Sequence, residues 1–219
     1  MSTAATPATA VSARKPHLLA WISWTVVLSC LAYFLFNNVP RYFVLTPKSY
    51  GSYFWPRAHW LLPHVASGLL AIVIGPMQFW PRMRSRYLNA HRLAGRVYVV
   101  TVLTGSIAAL GMASTIPNEP AYALGLTFLA VAWLATTSMA FIAVRRGNIP
   151  QHRQWMVRSY VVTFAFVTFR LVERAMGAYH ILPEESRDVV LAWGCWSIPL
   201  LVTEVVMQAR LVFSPRAPA

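Results

Sequence analysis

The sequence predicts an all-α membrane protein, a bundle of six transmembrane helices with both termini on the cytoplasmic side. Of the 219 residues, 57% are hydrophobic and 11% are charged, which leaves too little polar surface to coat a soluble globule. The apolar residues fall into six long windows, and the positive charges concentrate at alternate gaps between them. A chain that crosses a membrane repeatedly is expected to combine these features.

Each window is long enough to cross a membrane as a helix, because a hydrocarbon core about 30 Å thick needs about 20 apolar residues. The windows lie near residues 17–38, 59–80, 94–114, 121–144, 154–177 and 189–212. Residues 14–213 are therefore predicted to form one six-helix domain. Residues 1–13 are predicted to be a flexible N-terminal tail rather than a signal peptide, and residues 214–219 a C-terminal tail.

The distribution of positive charge sets the predicted orientation. One set of loops holds most of the lysines and arginines, whereas the other holds few of them and most of the acids. By the positive-inside rule, the first set and both termini face the cytoplasm. The net charge of +13 then reflects short loops that meet anionic lipid headgroups, and we expect no binding to nucleic acid. The cytoplasmic set comprises Arg14, Lys15, Arg82, Arg84, Arg86, Arg92, Arg96, Arg145, Arg146, Arg153, Arg210 and Arg216.

Two short basic motifs begin the third and fifth windows. They are His91-Arg92-Leu93-Ala94-Gly95-Arg96-Val97-Tyr98 and His152-Arg153-Gln154-Trp155-Met156-Val157-Arg158-Ser159-Tyr160. Because both spans run outward from the cytoplasm, the two leading histidines are predicted to share one level, with His17 as a third member. The histidines predicted on the outer side are His59, His64 and His180.

This arrangement of histidines and arginines matches the needs of a b-type haem. Its iron takes two imidazoles from different helices, and its propionates pair with cations at the water boundary. His91 and His152 are the candidate axial ligands, and His64 is a further candidate. An interfacial role without a cofactor is the alternative, and a metal ion held by His17, His91 and His152 stays open. The arginines that would bind the propionates are Arg92, Arg96, Arg153 and Arg158.

Charged residues inside the spans predict two further clusters. Glu204 lies within the last window, where an unpaired carboxylate is costly. Counting depth from the helix ends pairs it with Arg158, as a salt bridge between the last two spans or as a proton carrier. On the fifth span, Arg170, Glu173 and Arg174 are predicted to form an outer charged cluster.

Helical phase picks out inward faces. Small residues follow one face of the second and third spans, which favours close helix packing and also leaves room for a flat cofactor. The first outer loop is rich in aromatic residues, and we expect it to lie in the headgroup layer or fold over an outer cavity as a cap. The small-residue faces contain His64, Gly68, Ala71, Gly75 and Gln78 on the second span, and Gly95, Tyr98, Val102, Gly105, Ala109 and Met112 on the third.

Missing motifs narrow the function classes. Cys30 and Cys195 are single cysteines within spans, so no disulfide framework or CxxC site is expected. The sequence contains no Walker loop, GxGxxG, HExxH or GxSxG motif. Soluble-enzyme chemistry is therefore not expected, and whether the protein is an enzyme stays open.

Several of these motifs together resemble a known family. They are His64-x-x-x-Gly68, Gly75-Pro76-x-Gln78-Phe79, His91-Arg92-x-x-Gly95-Arg96-Val97-Tyr98 and His152-Arg153-x-Trp155-Met156-x-Arg158-Ser159. Over roughly residues 60–175 the chain resembles the bacterial membrane-protein family catalogued as domain of unknown function 2306. The resemblance implies a multi-pass protein of the bacterial cytoplasmic membrane without an assigned activity.

A more distant likeness is to the two-haem bundles of the cytochrome b561 type. His64, His91 and His152 lie on spans two, three and five, as ligands do in such proteins. The fourth span departs from the pattern, since it has Trp133, Thr136 and Thr137 but no histidine. The likeness therefore implies one haem at most.

Two interpretations follow. The leading one is a membrane protein that carries one b-type haem near the cytoplasmic face and passes electrons to or from a quinone or a redox partner. The alternative is a cofactor-free protein that binds an anionic lipid or small ligand, or acts as a transporter-like or assembly subunit.

Overall fold

The computed structural model describes residues 17–117 and 119–213, and within these ranges the chain is helical with no strand. The predicted tails and the side chain of His17 lie outside this description. The helices are α1 His17–Asn38, α2 Pro47–Phe54, α3 Ala58–Phe79, α4 Pro81–Arg86, α5 Leu88–Ala113, α6 Pro120–Arg145, α7 Ile149–Thr163, α8 Ala165–Ala178 and α9 Glu184–Phe213, with short 3-10 helices at Pro40–Phe43 and Trp55–Arg57.

Six helical segments of the described chain are long and apolar enough to cross a membrane. This confirms the predicted fold class, an all-α bundle with six membrane-spanning helices. α2 and α3 belong to one segment, and α7 and α8 to another. The segments are Ala20–Asn38, Pro47–Phe79, Leu88–Ala113, Pro120–Arg145, Ile149–Ala178 and Glu184–Phe213.

Two helices start before their apolar windows do. α5 begins at Leu88 and α7 at Ile149, so His91 and His152 lie inside the first turns of helices rather than ahead of them. At α7 the reason is local, because the side chain of Asn148 accepts a hydrogen bond from the Gln151 amide and a proline occupies the first turn. These polar first turns carry no hydropathy signal.

The fifth span is interrupted at Phe164, between α7 and α8. Thr163 donates its hydroxyl to the carbonyl of Ser159 at 2.8 Å. Hydroxyl bonds of this kind, one turn back along the same helix, tend to bend helices. The bend lies midway along the span.

Four central spans form the core, and two helices lie at its periphery. α3 packs on α5 and α7, α5 on α6, and α6 on α7 and α9, whereas α1 packs chiefly on α8. Within the most apolar stretch of each span, 6% of residues are buried in α1 and 17% in α9, against 28–39% in the other four. α1 and α9 therefore present most of their surface to the bilayer.

Small residues set the closest helix contacts, as helical phase predicted. A Cβ atom on Gly75 of α3 would overlap the ring of Tyr160 on α7, and one on Gly105 of α5 would lie 2.9 Å from Trp133 of α6. Glycine at these positions therefore lets two large aromatic rings reach the bundle axis.

Connectivity divides the bundle into two ends. We call the end where α1 begins and α9 ends the terminus face, which also holds α4 and the α6–α7 connection. The opposite end, which holds α2 and the connections at residues 114–119 and 179–183, is the distal face.

We expect Gly75→Ala to lower the free energy of unfolding by about 1–3 kcal/mol, because the added methyl must displace the Tyr160 ring. Thermal unfolding in detergent measures the change. Gly68→Ala on the same helix is the control, since no atom lies within 4 Å of its Cβ position. Equal effects of the two substitutions would contradict this account of the packing.

Candidate functional site

An apolar cavity of about 180 Å³ occupies the distal half of the bundle. It extends from Trp133 and Thr163 in the middle of the bundle to Arg57 and Tyr122 near the distal face. Helices α1, α2, α3, α5, α6, α7 and α8 all contribute to its walls. Its polar lining residues are Asn38, Tyr42, Tyr53, Arg57, His64, Tyr122, Thr163 and Arg170.

The aromatic segment between α1 and α3 lines the mouth of this cavity. Gly51 within it has a φ of +67°, a left-handed turn that favours glycine. Arg57 holds the segment on the bundle, because its guanidinium donates to the carbonyls of Tyr53 and Thr115, both at 2.5 Å. Three side chains of this segment, Tyr53, Phe54 and Arg57, form part of the cavity wall, as expected of a cap.

His64 lines the cavity, and only one of its ring nitrogens is hydrogen-bonded within the described residues. Its Nδ1 donates to the carbonyl of Gly105 at 3.0 Å, because a carbonyl can only accept. In the neutral imidazole, Nε2 is then an acceptor, and no residue of the described chain bonds to it. The ring stands edge-on to Trp133 and Phe166, with centroids 6.3 and 6.0 Å away.

Four hydroxyl groups form a continuous chain at the centre of the bundle. Tyr98 of α5 contacts Thr163 at 2.8 Å and Ser159 at 2.9 Å, both on α7, and Ser159 contacts Thr137 of α6 at 2.6 Å. Trp133 also donates to Thr163, at 2.8 Å. Tyr98, Ser159 and Thr137 are fully buried, so the chain ties three helices together away from water and lipid.

The two leading histidines lie in the terminus half. Nδ1 of His152 donates to the carbonyl of Ala140 at 2.9 Å, across to α6. His91 of α5 is close enough to His152 for their charges to interact. Nδ1 of His91 and Nε2 of Gln78 are buried and have no partner within the described residues. The structure thus brings His91 and His152 to one end of the bundle and leaves His64 in the other half.

The predicted arginine partners differ in their surroundings. Arg92, Arg96 and Arg153 are exposed. Arg158 is instead engaged by Glu204, to which its Nε and Nη2 donate at 2.8 and 2.6 Å. Its guanidinium also lies over the Trp155 ring, 4.7 Å from the centroid.

Glu204 and its neighbours join α7 to α9. The second carboxylate oxygen of Glu204 accepts from Gln208 at 2.7 Å. The side chain of Arg158 is 11% exposed and that of Glu204 39%, so the pair lies at the edge of the bundle. Of the two predicted roles, this position fits a salt bridge between the last two spans rather than a proton carrier.

The predicted outer cluster separates into two contacts. Arg170 donates to Glu173 at 2.8 Å and lines the cavity. Arg174 turns away and donates to the hydroxyl of Tyr33 on α1, with its guanidinium 5.3 Å from the centre of that ring. Arg170 therefore belongs to the cavity, whereas Arg174 fastens α1 to α8.

Sequence reasoning expected a cavity but did not identify its walls, and it missed the hydroxyl chain. In the sequence, Trp133 and Thr137 were noted only because the fourth span has no histidine. Polar residues inside a span are themselves a sign of an inward-facing site. Arg57 carried no signal beyond its charge. Among the described residues no group of three or more His, Cys, Asp or Glu side chains could hold a metal ion.

The fold and these sites define a multi-pass helical membrane protein with a cavity in one half and two inward histidines, His91 and His152, in the other. A family model described as Predicted membrane protein (DUF2306) matches residues 61–207, more than half of the chain. The chain belongs to this family. His64, His91 and His152 all lie inside the matched region. No curated protein and no solved structure matches the chain.

Proposed function

We propose that this membrane protein binds a small aromatic alcohol, of the phenol or hydroquinone type, in the cavity beside His64. The observation that carries the proposal is the free acceptor nitrogen of His64 on an otherwise largely apolar wall. Binding sites for small molecules commonly combine an apolar lining with a few placed polar groups. This proposal develops the cofactor-free alternative and gives the expected quinone partner a specific site.

The size of the cavity supports a single aromatic ring. An engineered cavity of about 150 Å³ in another protein stays dry and binds benzene, and the cavity here measures about 180 Å³. Apolar side chains such as Leu129 and Phe166 line it. Its distal end reaches the peripheral helix α1, where an attached hydrocarbon tail would meet the bilayer.

The hydrogen-bond donors and acceptors at the deep end of the cavity favour a ligand with a hydroxyl group over one with a carbonyl. Nε2 of neutral His64 accepts but does not donate. The hydroxyl hydrogen of Thr163 goes to the Ser159 carbonyl, and Trp133 already donates to Thr163. The deep end of the cavity therefore offers an acceptor at His64 and no spare donor, which suits the reduced, hydroxyl-bearing form of a quinone.

We expect decylhydroquinone to bind the purified protein, with a Kd about 10- to 100-fold higher in His64→Leu, because one buried hydrogen bond is lost. Isothermal titration in detergent measures both values. His59→Leu, an exposed histidine on the same helix, is the matched control and should bind as the unmodified protein does. The dimethyl ether of the same ligand has no hydroxyl and should bind weakly. Equal affinity for the ether would sink the proposal.

A second candidate function, electron transfer through one b-type haem at the terminus face, is favoured by the orientation of His152. Ligating histidines usually donate their other ring nitrogen to a carbonyl or carboxylate, and His152 donates Nδ1 to Ala140, which leaves Nε2 free. His91 lies nearby, and Arg92 is exposed at the boundary for a propionate. When bound, the group would supply one-electron chemistry.

If this candidate is correct, the dithionite-reduced protein, expressed with haem supplied, shows the Soret and α bands of a low-spin haem. His91→Ala and His152→Ala should each abolish them, because an axial ligand is lost. His180→Ala in the distal connection should leave the spectrum unchanged. An unmodified protein without these bands ends the haem proposal and leaves the cavity proposal intact.

We also propose that the terminus face is cytoplasmic and that the membrane is the bacterial inner membrane, with anionic lipid headgroups against the basic loops. The described arginines of the terminus half support this orientation. A green fluorescent protein fused after Ala219 should therefore be fluorescent in a bacterial host, and an alkaline phosphatase fusion there inactive. The opposite pattern would reverse the orientation. These arginines are Arg82, Arg84, Arg86, Arg92, Arg96, Arg145, Arg146, Arg153 and Arg210.

A further inference from the structure

The hydrogen bonds of the central hydroxyl chain all run in one direction. Thr163 has a single hydroxyl hydrogen, which it gives to the Ser159 carbonyl, so its oxygen accepts from Tyr98. Tyr98 has then used its own hydrogen and accepts from Ser159. Ser159 in turn accepts from Thr137. The O–H groups of Thr137, Ser159 and Tyr98 thus point from the α6 end of the chain toward Thr163, whose own hydrogen is held by the Ser159 carbonyl.

The two ends of the chain lie at the two sites already described. Thr163 lines the cavity of the distal half. Thr137 lies three residues before Ala140, whose carbonyl accepts from His152. Three residues of helix rise about 4.5 Å, so Thr137 and the residue bonded to His152 lie within one turn of each other on α6. Cavity, hydroxyl chain and His152 together extend from the distal half to the terminus half.

We propose that this hydroxyl chain conducts protons between His152 and the cavity, so that the bundle contains a proton path. A proton reaching the oxygen of Thr137 displaces the Thr137 hydrogen onto Ser159. The same exchange passes through Tyr98 to Thr163, which keeps the incoming hydrogen. The hydrogen that Thr163 held against the Ser159 carbonyl leaves that carbonyl as the hydroxyl rotates, and it is the one proton released into the cavity. Only O–H bonds break and form, and one proton leaves for each that enters. The hydroxyls then rotate back to their starting direction.

Helix locking alone does not account for this arrangement. A single hydroxyl pair or apolar packing can join membrane helices, whereas here four hydroxyls follow one another at 2.6–2.9 Å. Thr136, beside Thr137, shows the ordinary alternative. It donates to the carbonyl of Ala132 on its own helix at 2.7 Å and takes no part in the chain.

The test is proton flux into sealed phosphatidylcholine–phosphatidylglycerol vesicles that contain the purified protein and a pH-sensitive dye. A potassium diffusion potential set with valinomycin drives the flux. We expect a protein-dependent flux that falls to the level of protein-free vesicles in Tyr98→Phe and Thr137→Val. Thr137→Ser keeps the hydroxyl and should keep the flux. Thr136→Val, the matched control, should also keep it.

Three results would overturn the proposal. They are an unmodified protein with no flux above protein-free vesicles, a flux that survives both Tyr98→Phe and Thr137→Val, and an equal loss in Thr136→Val. Tyr98→Phe removes buried hydrogen bonds to both Ser159 and Thr163. If Tyr98→Phe does not fold, the flux of Thr137→Val decides the test. The assay contains no hydroquinone, so its outcome is independent of ligand binding at His64.

Discussion

The hydrogen bonds of Tyr98 to Ser159 and Thr163 are the contact on which the rest of the bundle depends. Inside a membrane, a hydroxyl without a partner is costly, and water is not at hand to replace one. These hydrogen bonds therefore constrain how α5 and α7 are rotated about their axes and how deep each helix lies relative to the other. Thr137 extends the same constraint to α6.

This hydroxyl chain lies between two candidate sites. On its distal side, Trp133 is held by Thr163 and forms part of the cavity wall beside His64. On its terminus side lie His91 and His152, within electrostatic reach of each other. His64 thus lies in a different half of the bundle from His91 and His152, and the hydroxyl chain lies between them.

The sequence predicts those features that depend on one helix at a time. Hydropathy windows predict the six spans, helical phase predicts the inward faces of Gly75 and Tyr98, and depth counting brings Arg158 to Glu204. The cavity is different, because it is the space left where five spans meet and no single helix encodes it. The partner of His64 is a backbone carbonyl, that of Gly105, which residue identity does not reveal. Polar first turns likewise hide the starts of α5 and α7.

A double-mutant cycle between Tyr98 and Ser159 tests the central claim most directly. The free energy of unfolding in detergent is measured for the unmodified protein, Tyr98→Phe, Ser159→Ala and the double variant. Hydrogen bonds between membrane helices have coupling energies of about 0.6 kcal/mol on average and reach about 1.7 kcal/mol. For this fully buried pair we expect a value toward the upper end of that range, with both single variants destabilised. Additive effects, with no coupling between the two residues, would contradict the account.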